Sequence, residues 1–104
     1  MSTAWLGMGS NIDAEAHIRA GIQELREKFG SITLSPVYTS TAVGFDGDDF
    51  INLVARVETD MQPLALRQYL RDFEDRNDRK RNVPKFSDRS LDIDILLYDD
   101  LVLH

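Results

Sequence analysis

The sequence predicts an α+β fold of β-α-β-β-α-β order: a four-stranded antiparallel sheet with two helices on one face. Three observations predict it. Several stretches alternate apolar and polar residues at period two, two others carry an apolar stripe at helical spacing, and these stretches follow one another in that order.

"TAWLGMG" reads as the first strand, with Ala4, Leu6 and Met8 on one face and Trp5, Gly7 and Gly9 on the other. After the turn "SNID", Ile18, Ile22, Leu25 and Phe29 form the stripe of an amphipathic helix, which Gly30 is placed to end. "SITLSPVYTS" reads as the second strand, and Pro36 predicts that it is bulged or lies at an edge. The polar, Gly-containing "TAVGFDGDD" is a loop. "FINLVARVET" is the third strand, sending Ile51, Leu53, Ala55 and Val57 to the core and Phe50, Asn52, Val54 and Arg56 to the opposite face. Pro63 suits the first turn of a second helix whose stripe is Leu66, Leu70 and Phe73. A basic loop follows, then the fourth strand, "RSLDIDILLYDD", with Leu91, Ile93, Ile95 and Leu97 on one face and Asp92, Asp94 and Leu96 on the other.

This order is the split βαβ, or ferredoxin-like, arrangement. Two helices with one stripe each cover one sheet face and leave the other open. In the usual strand order for the topology, 4-1-3-2, Gly7 and Gly9 fall between Phe50/Asn52 and Asp92/Asp94, a floor on which a flat ligand can approach the backbone.

The 104 residues are expected to form a single domain, 1–104, with an ordinary globular composition of 42% hydrophobic and 29% charged residues. No apolar run approaches the roughly 18 residues of a membrane span, so no membrane association is expected. The N-terminus lacks the charged and apolar regions of a secretion signal, and the cytoplasm is the expected compartment. The absence of cysteine excludes disulfides and thiolate metal sites. A net charge of −6 argues against nucleic acid as a partner, yet six of the twelve Lys and Arg residues lie in "RNDRKRNVPKFSDR", Arg76 to Arg89. A basic patch this small suits a small polyanion.

Asp92 and Asp94 stand roughly 7 Å apart at Cα on a strand. If their oxygens converge to about 4 Å, the repulsion is on the order of 4 kcal/mol at an effective dielectric near 20. A divalent cation between them answers this, and Mg²⁺ characteristically binds through one or two carboxylates plus water and phosphate. The alternative is a strand neutralised by salt bridges to Arg89 or Arg79, the commoner reading of a bare D-x-D, which the preceding cationic loop shifts toward metal and phosphate. Arg79, Arg81 and Arg89 have the planar fork that grips phosphate bidentately, although a bare cationic run is more often a solvated loop. Asn52 can donate and accept in one plane, as recognition of a heterocycle edge requires, and Phe50 is either a stacking platform or an exposed ring. "GSN", Gly9 to Asn11, is assigned mainly to structure, His17 and His104 have no ligand partners at helical or hairpin spacing, and Glu74 at the end of the second helix is ordinarily a solvated side chain.

Together, "WLGMGSN", "VYTSTAVG", "DFINLVARVET", "LRDFEDRNDRKR" and "FSDRSLDIDILLY" resemble the hydroxymethyl-dihydropterin pyrophosphokinase family of folate biosynthesis, from about Ala4 to Asp100. The most specific part is R-[ST]-L-D-[IL]-D-[IL] after a basic loop. The resemblance implies a ferredoxin-like core, ATP as co-substrate with two Mg²⁺ ions, and transfer of an intact pyrophosphoryl group to the pterin hydroxymethyl oxygen, leaving AMP. It implies that Asp92 and Asp94 bind the metals. Arg79, Arg81 and Arg89 would meet the ATP phosphates and carry catalysis, with Glu74 near the nucleotide. Phe50 and Asn52 would hold the pterin, with Val43 and Gly44 in the loop lining its pocket. The expected partners are these small molecules, with a homodimer as one assembly open to the chain.

The sequence departs from the family pattern where Asp78 precedes Arg79, where "FSD" stands before Arg89, and where "STAVG" lacks the usual proline. Family members also continue through a further segment with ATP-binding His and Arg groups, so a short form is expected to be either an authentic enzyme or a non-catalytic nucleotide- or pterin-binding relative. A ferredoxin-like RNA binder is disfavoured by the acidity and by the lack of paired aromatics on the open face.

Overall fold

The alternation at the N-terminus becomes β1, Ser2–Ser10, which buries Ala4, Leu6 and Met8 on one face. The computed structural model describes residues 1–41, 49–76 and 91–102. Helix α1, Ala14–Phe29, buries Ile18, Gly21 and Leu25, and Ile22 and Phe29 pack against the core from its flanks. It ends at Gly30, whose φ of 81° is left-handed and whose N–H donates to the Arg26 carbonyl. At Gly21 a Cβ would stand 2.6 Å from Met8 Cε, so a side chain there would require the end of the Met8 side chain to move.

The second predicted strand is two short ones, β2 (Thr33–Leu34) and β3 (Tyr38–Ser40), both antiparallel to β4 (Phe50–Thr59). Leu34 pairs with Ala55 and Tyr38 with Asn52, so the chain spends one extra residue across Ser35-Pro36-Val37. Proline cannot donate to a ladder, and the strand breaks there, as its place in the sequence predicts. Ser35 carries the pairing through the break: its N–H donates to the Val54 carbonyl at 2.8 Å and its hydroxyl accepts from the Val54 N–H at 2.8 Å.

Helix α2, Pro63–Arg76, buries Leu66, Leu70, Phe73 and Glu74. Strand β5, Asp92–Tyr98, runs antiparallel to β1 and turns at Asp99-Asp100 into a short β6, Leu101–Val102. The sheet order is β2-β4-β1-β5-β6, with β3 also on β4. The α+β class, the antiparallel sheet and the helices on one face hold; the count of four strands does not, because Pro36 splits one strand and the β5–β6 hairpin adds another.

One facing assignment is corrected. Trp5 pairs with Leu97 and Leu6 with Ile95, so Leu96 is an extra residue in β5. This bulge turns Leu97 away from the core and brings in Tyr98, which is 6% exposed and donates its hydroxyl to the Met61 carbonyl at 2.6 Å. The core itself is one cluster between the helices and the inner face of β1, β4 and β5. Each of its fully buried Leu and Phe side chains, such as Leu6, Leu53, Leu70 and Phe73, contributes roughly 1.5–3 kcal/mol. Among the described residues, no helix is long and apolar enough to cross a membrane.

A polar clasp joins the helices outside this core. Tyr69 donates its hydroxyl to Glu24 at 2.9 Å, Arg76 pairs with the same carboxylate oxygen, and the Phe29 and Tyr69 rings meet edge to face at 5.9 Å. Burial, then the hydrogen bond to Glu24 and its negative charge, raise the Tyr69 phenol well above its ordinary value. The fold therefore favours the protonated phenol. This contribution is whole below the ordinary phenol value of about 10 and is lost as pH climbs above it. Urea-unfolding midpoints are expected to fall above about pH 10, and Tyr69→Phe is expected to flatten that alkaline decline.

Candidate functional site

The face of the sheet opposite the helices carries a trough whose floor is the backbone of β1. Gly9 pairs with Asn52 on one side and Asp92 on the other; Gly7 pairs with Val54 and Asp94. Directly paired residues share a face, so two positions without side chains separate an amide and an aromatic wall from a carboxylate wall. A Cβ at Gly9 would stand 2.8 Å from Asn52 Oδ1 and 3.7 Å from Phe50 Cδ1. At Gly7 it would stand 3.2 Å from Leu96 Cδ1, so the bulged leucine closes that end of the trough.

The two aspartates alternate with buried Leu91, Ile93 and Ile95, which commits them to the trough's face, Asp92 half-buried and Asp94 exposed. Among the described residues, no group of three or more His, Cys, Asp or Glu gathers as a metal cage. Two hard oxygen donors on one strand face are the donor set that suits a hydrated Mg²⁺ completing its shell with water and phosphate.

Glu74 is placed differently from a solvated helix end. It is 2% exposed, and its Oε2 accepts from the Ile93 N–H at 2.8 Å. Ile93 lies between the two aspartates, so the last turn of α2 is stitched to the backbone that spaces them. Val43, Gly44, Arg79, Arg81 and Arg89 lie outside the described residues.

Residues 5–104 match the family model described as 7,8-dihydro-6-hydroxymethylpterin-pyrophosphokinase. The chain belongs to this pyrophosphokinase family. It is 37% identical over 105 residues to the 2-amino-4-hydroxy-6-hydroxymethyldihydropteridine pyrophosphokinase of Aquifex aeolicus, covering 99% of this chain and 65% of that protein. To the protein of the same name from Haemophilus influenzae it is 32% identical over 107 residues, covering 99% of this chain and 66% of that one. To that of Pseudomonas putida it is 34% identical over 103 residues, covering 96% and 85%. The chain thus spans a little under two thirds of the length of the first two.

Within this pyrophosphokinase framework the described site residues divide into the pair Phe50 and Asn52 on β4, the pair Asp92 and Asp94 on β5, and Glu74 behind β5. Sequence reasoning missed Ser40. Its hydroxyl accepts from Asn52 Nδ2 at 2.9 Å, and only the register of β3 on β4, set by the extra residue at Pro36, brings the two together. His17, which has no ligand role on sequence grounds, holds the β1–α1 turn through a 2.6 Å hydrogen bond from Nδ1 to the Ile12 carbonyl.

Removing the Glu74 carboxylate leaves the Ile93 N–H without this acceptor at a buried position. Glu74→Ala is expected to destabilise the fold by roughly 1–3 kcal/mol in chemical unfolding. Glu74→Gln, which keeps an acceptor oxygen, is expected to recover most of that loss; equal destabilisation by both variants would show that the hydrogen bond is not what matters.

Proposed function

We propose that this chain transfers an intact pyrophosphoryl group from ATP to the hydroxymethyl oxygen of a dihydropterin, releasing AMP, as a step of folate biosynthesis. The observation that carries the reading is the trough: a flat, glycine-floored surface with a heterocycle-reading amide on one wall and two carboxylates on the other, in a chain of this family. Its element and strand order support a ferredoxin-like core. In this reading Phe50 and Asn52 hold the pterin over Gly9, with Val43 and Gly44 at its margin.

Asp92 and Asp94 are the residues that would hold two Mg²⁺ ions. When bound, the metal neutralises phosphate charge and draws the triphosphate to the β5 wall. Arg79, Arg81 and Arg89 belong to the basic stretch before β5, and their forked donors suit the α- and β-phosphates, where charge accumulates as AMP departs. The hydroxyl oxygen bonds to the β-phosphorus while the bond from that phosphorus to the α–β bridging oxygen breaks, its electron pair leaving with AMP and the hydroxyl proton passing to solvent. In this reading positioning and charge stabilisation carry the rate.

The test is calorimetry with a non-hydrolysable ATP analogue, with and without Mg²⁺, followed by an AMP-release assay with 6-hydroxymethyl-7,8-dihydropterin. Mg²⁺-dependent binding and pterin-dependent AMP release are expected. Asp92→Asn and Asp94→Asn are each expected to weaken the Mg²⁺-dependent binding at least about tenfold, equivalent to about 1.4 kcal/mol. Unchanged binding in both would overturn the metal assignment. Tight nucleotide binding with no AMP would replace the enzyme by a binding module.

A further inference from the structure

We infer that Ser40 sets the orientation of the Asn52 amide, so that the trough offers its ligand a hydrogen-bond acceptor and selects a heterocycle edge that presents N–H donors. The inference rests on the pterin reading above and extends it to a residue and a polarity that the family match does not assign.

Asn52 Nδ2 has three oxygen neighbours: Ser40 Oγ at 2.9 Å, the Phe50 carbonyl at 3.3 Å and the Tyr38 carbonyl at 3.4 Å. Carbonyl oxygens only accept. An amide turned the other way would set its own oxygen against two carbonyls and could recover only the hydroxyl, so one orientation is strongly favoured. The amide has two hydrogens and three acceptors around it, which leaves none for a ligand. The opposite end, Oδ1, is turned toward Gly9, 2.8 Å from where a Cβ at that position would stand. It therefore overhangs the floor on which a flat ring would lie.

Ser40 supplies the shortest of the three contacts and the only one from a side chain. Tyr38 pairs with Asn52 and Ser40 with Phe50, so all four residues share the open face. Ser40 touches Asn52 rather than the ligand, which makes it a positioning residue. The ligand class follows from the chemistry: a ring N–H or exocyclic amino group meets Oδ1, whereas an edge carrying only acceptors meets lone pair against lone pair. Where a buried polar group would be left unpaired, discrimination of this kind is strong.

The experiment uses the full chain as wild type, Ser40→Ala, Ser40→Thr and Gly9→Ala, titrated separately with 6-hydroxymethylpterin and with the Mg²⁺-loaded ATP analogue. Ser40→Ala is expected to weaken pterin binding about five- to tenfold, the worth of one hydrogen bond, and to leave nucleotide affinity within about twofold. In turnover it raises KM for the pterin and leaves kcat nearly untouched. Ser40→Thr, which keeps the hydroxyl, restores binding. Gly9→Ala, whose Cβ displaces Oδ1, weakens the pterin more than Ser40→Ala does. The side-chain amide resonances of Asn52 give a ligand-free readout: slow proton exchange in the wild type and in Ser40→Thr, fast exchange in Ser40→Ala. Wild-type pterin affinity in Ser40→Ala, no rescue by Ser40→Thr, or equal loss of both ligands would each overturn the inference. If the wild type bound no pterin, the functional reading and the acceptor role would fall together, and the amide exchange would still decide whether Ser40 holds Asn52.

Discussion

The open face depends on the ladder that holds β1 between β4 and β5. Gly9 is flanked by Asn52 and Asp92, and Gly7 by Val54 and Asp94, because β1 is paired along both edges and the β1–β5 register runs unbroken from Leu6 to Gly9. A slip of one residue on either side would carry the amide or the carboxylates through the sheet to the core face. The apolar face forbids such a slip: Leu6, Leu53 and Ile95 are buried together only in this register. The hydrophobic core thus fixes the geometry of a site to which it contributes no atom.

The polar groups behind the sheet extend the same logic to α2. Its last turn is tied in two directions, by Glu74 to the β5 backbone and by Arg76 to Glu24 on α1. Phe73, 1% exposed, sits between these ties in the core. Arg76 is the first residue of the basic stretch, and Asp92 begins the strand that follows it. The stem from which the cationic residues depart is therefore anchored on both helices and on the strand that carries the carboxylates. Holding a helix end this firmly costs the side-chain entropy of Glu24, Tyr69, Glu74 and Arg76. Such a cost is repaid only where several bonds share the same groups, as they do at the Glu24 carboxylate.

Much of this was legible in the sequence, and the failures share a cause. Period-two alternation marked β1 and β4, with the correct faces, because each has an apolar side and a polar or glycine side. It failed at Leu96-Leu97, where two leucines in succession carry no facing information and a bulge, not hydrophobicity, decides which turns inward. Pro36 announced an interruption but could not say that both halves would pair with the same partner. Glu74 reads as a surface residue because carboxylates at helix ends usually are; its burial follows from an edge N–H on β5 that no local pattern displays. Ser40 was invisible for a related reason. Its contact with Asn52 spans twelve residues and exists only once the bulge has set the register.

The open face also distributes charge in a way that composition conceals. A chain of net charge −6 is a poor general host for polyanions, and the β5 wall adds two carboxylates to that field. Phosphate can approach that wall only with cations interposed. The opposite wall is neutral: an amide, a ring and the backbone of β3. A ligand with an uncharged, planar end and a highly charged end is therefore divided across β1 by electrostatics alone. Gly7 and Gly9 keep the two regimes a single backbone strand apart, close enough for a group held on one wall to meet a group held on the other.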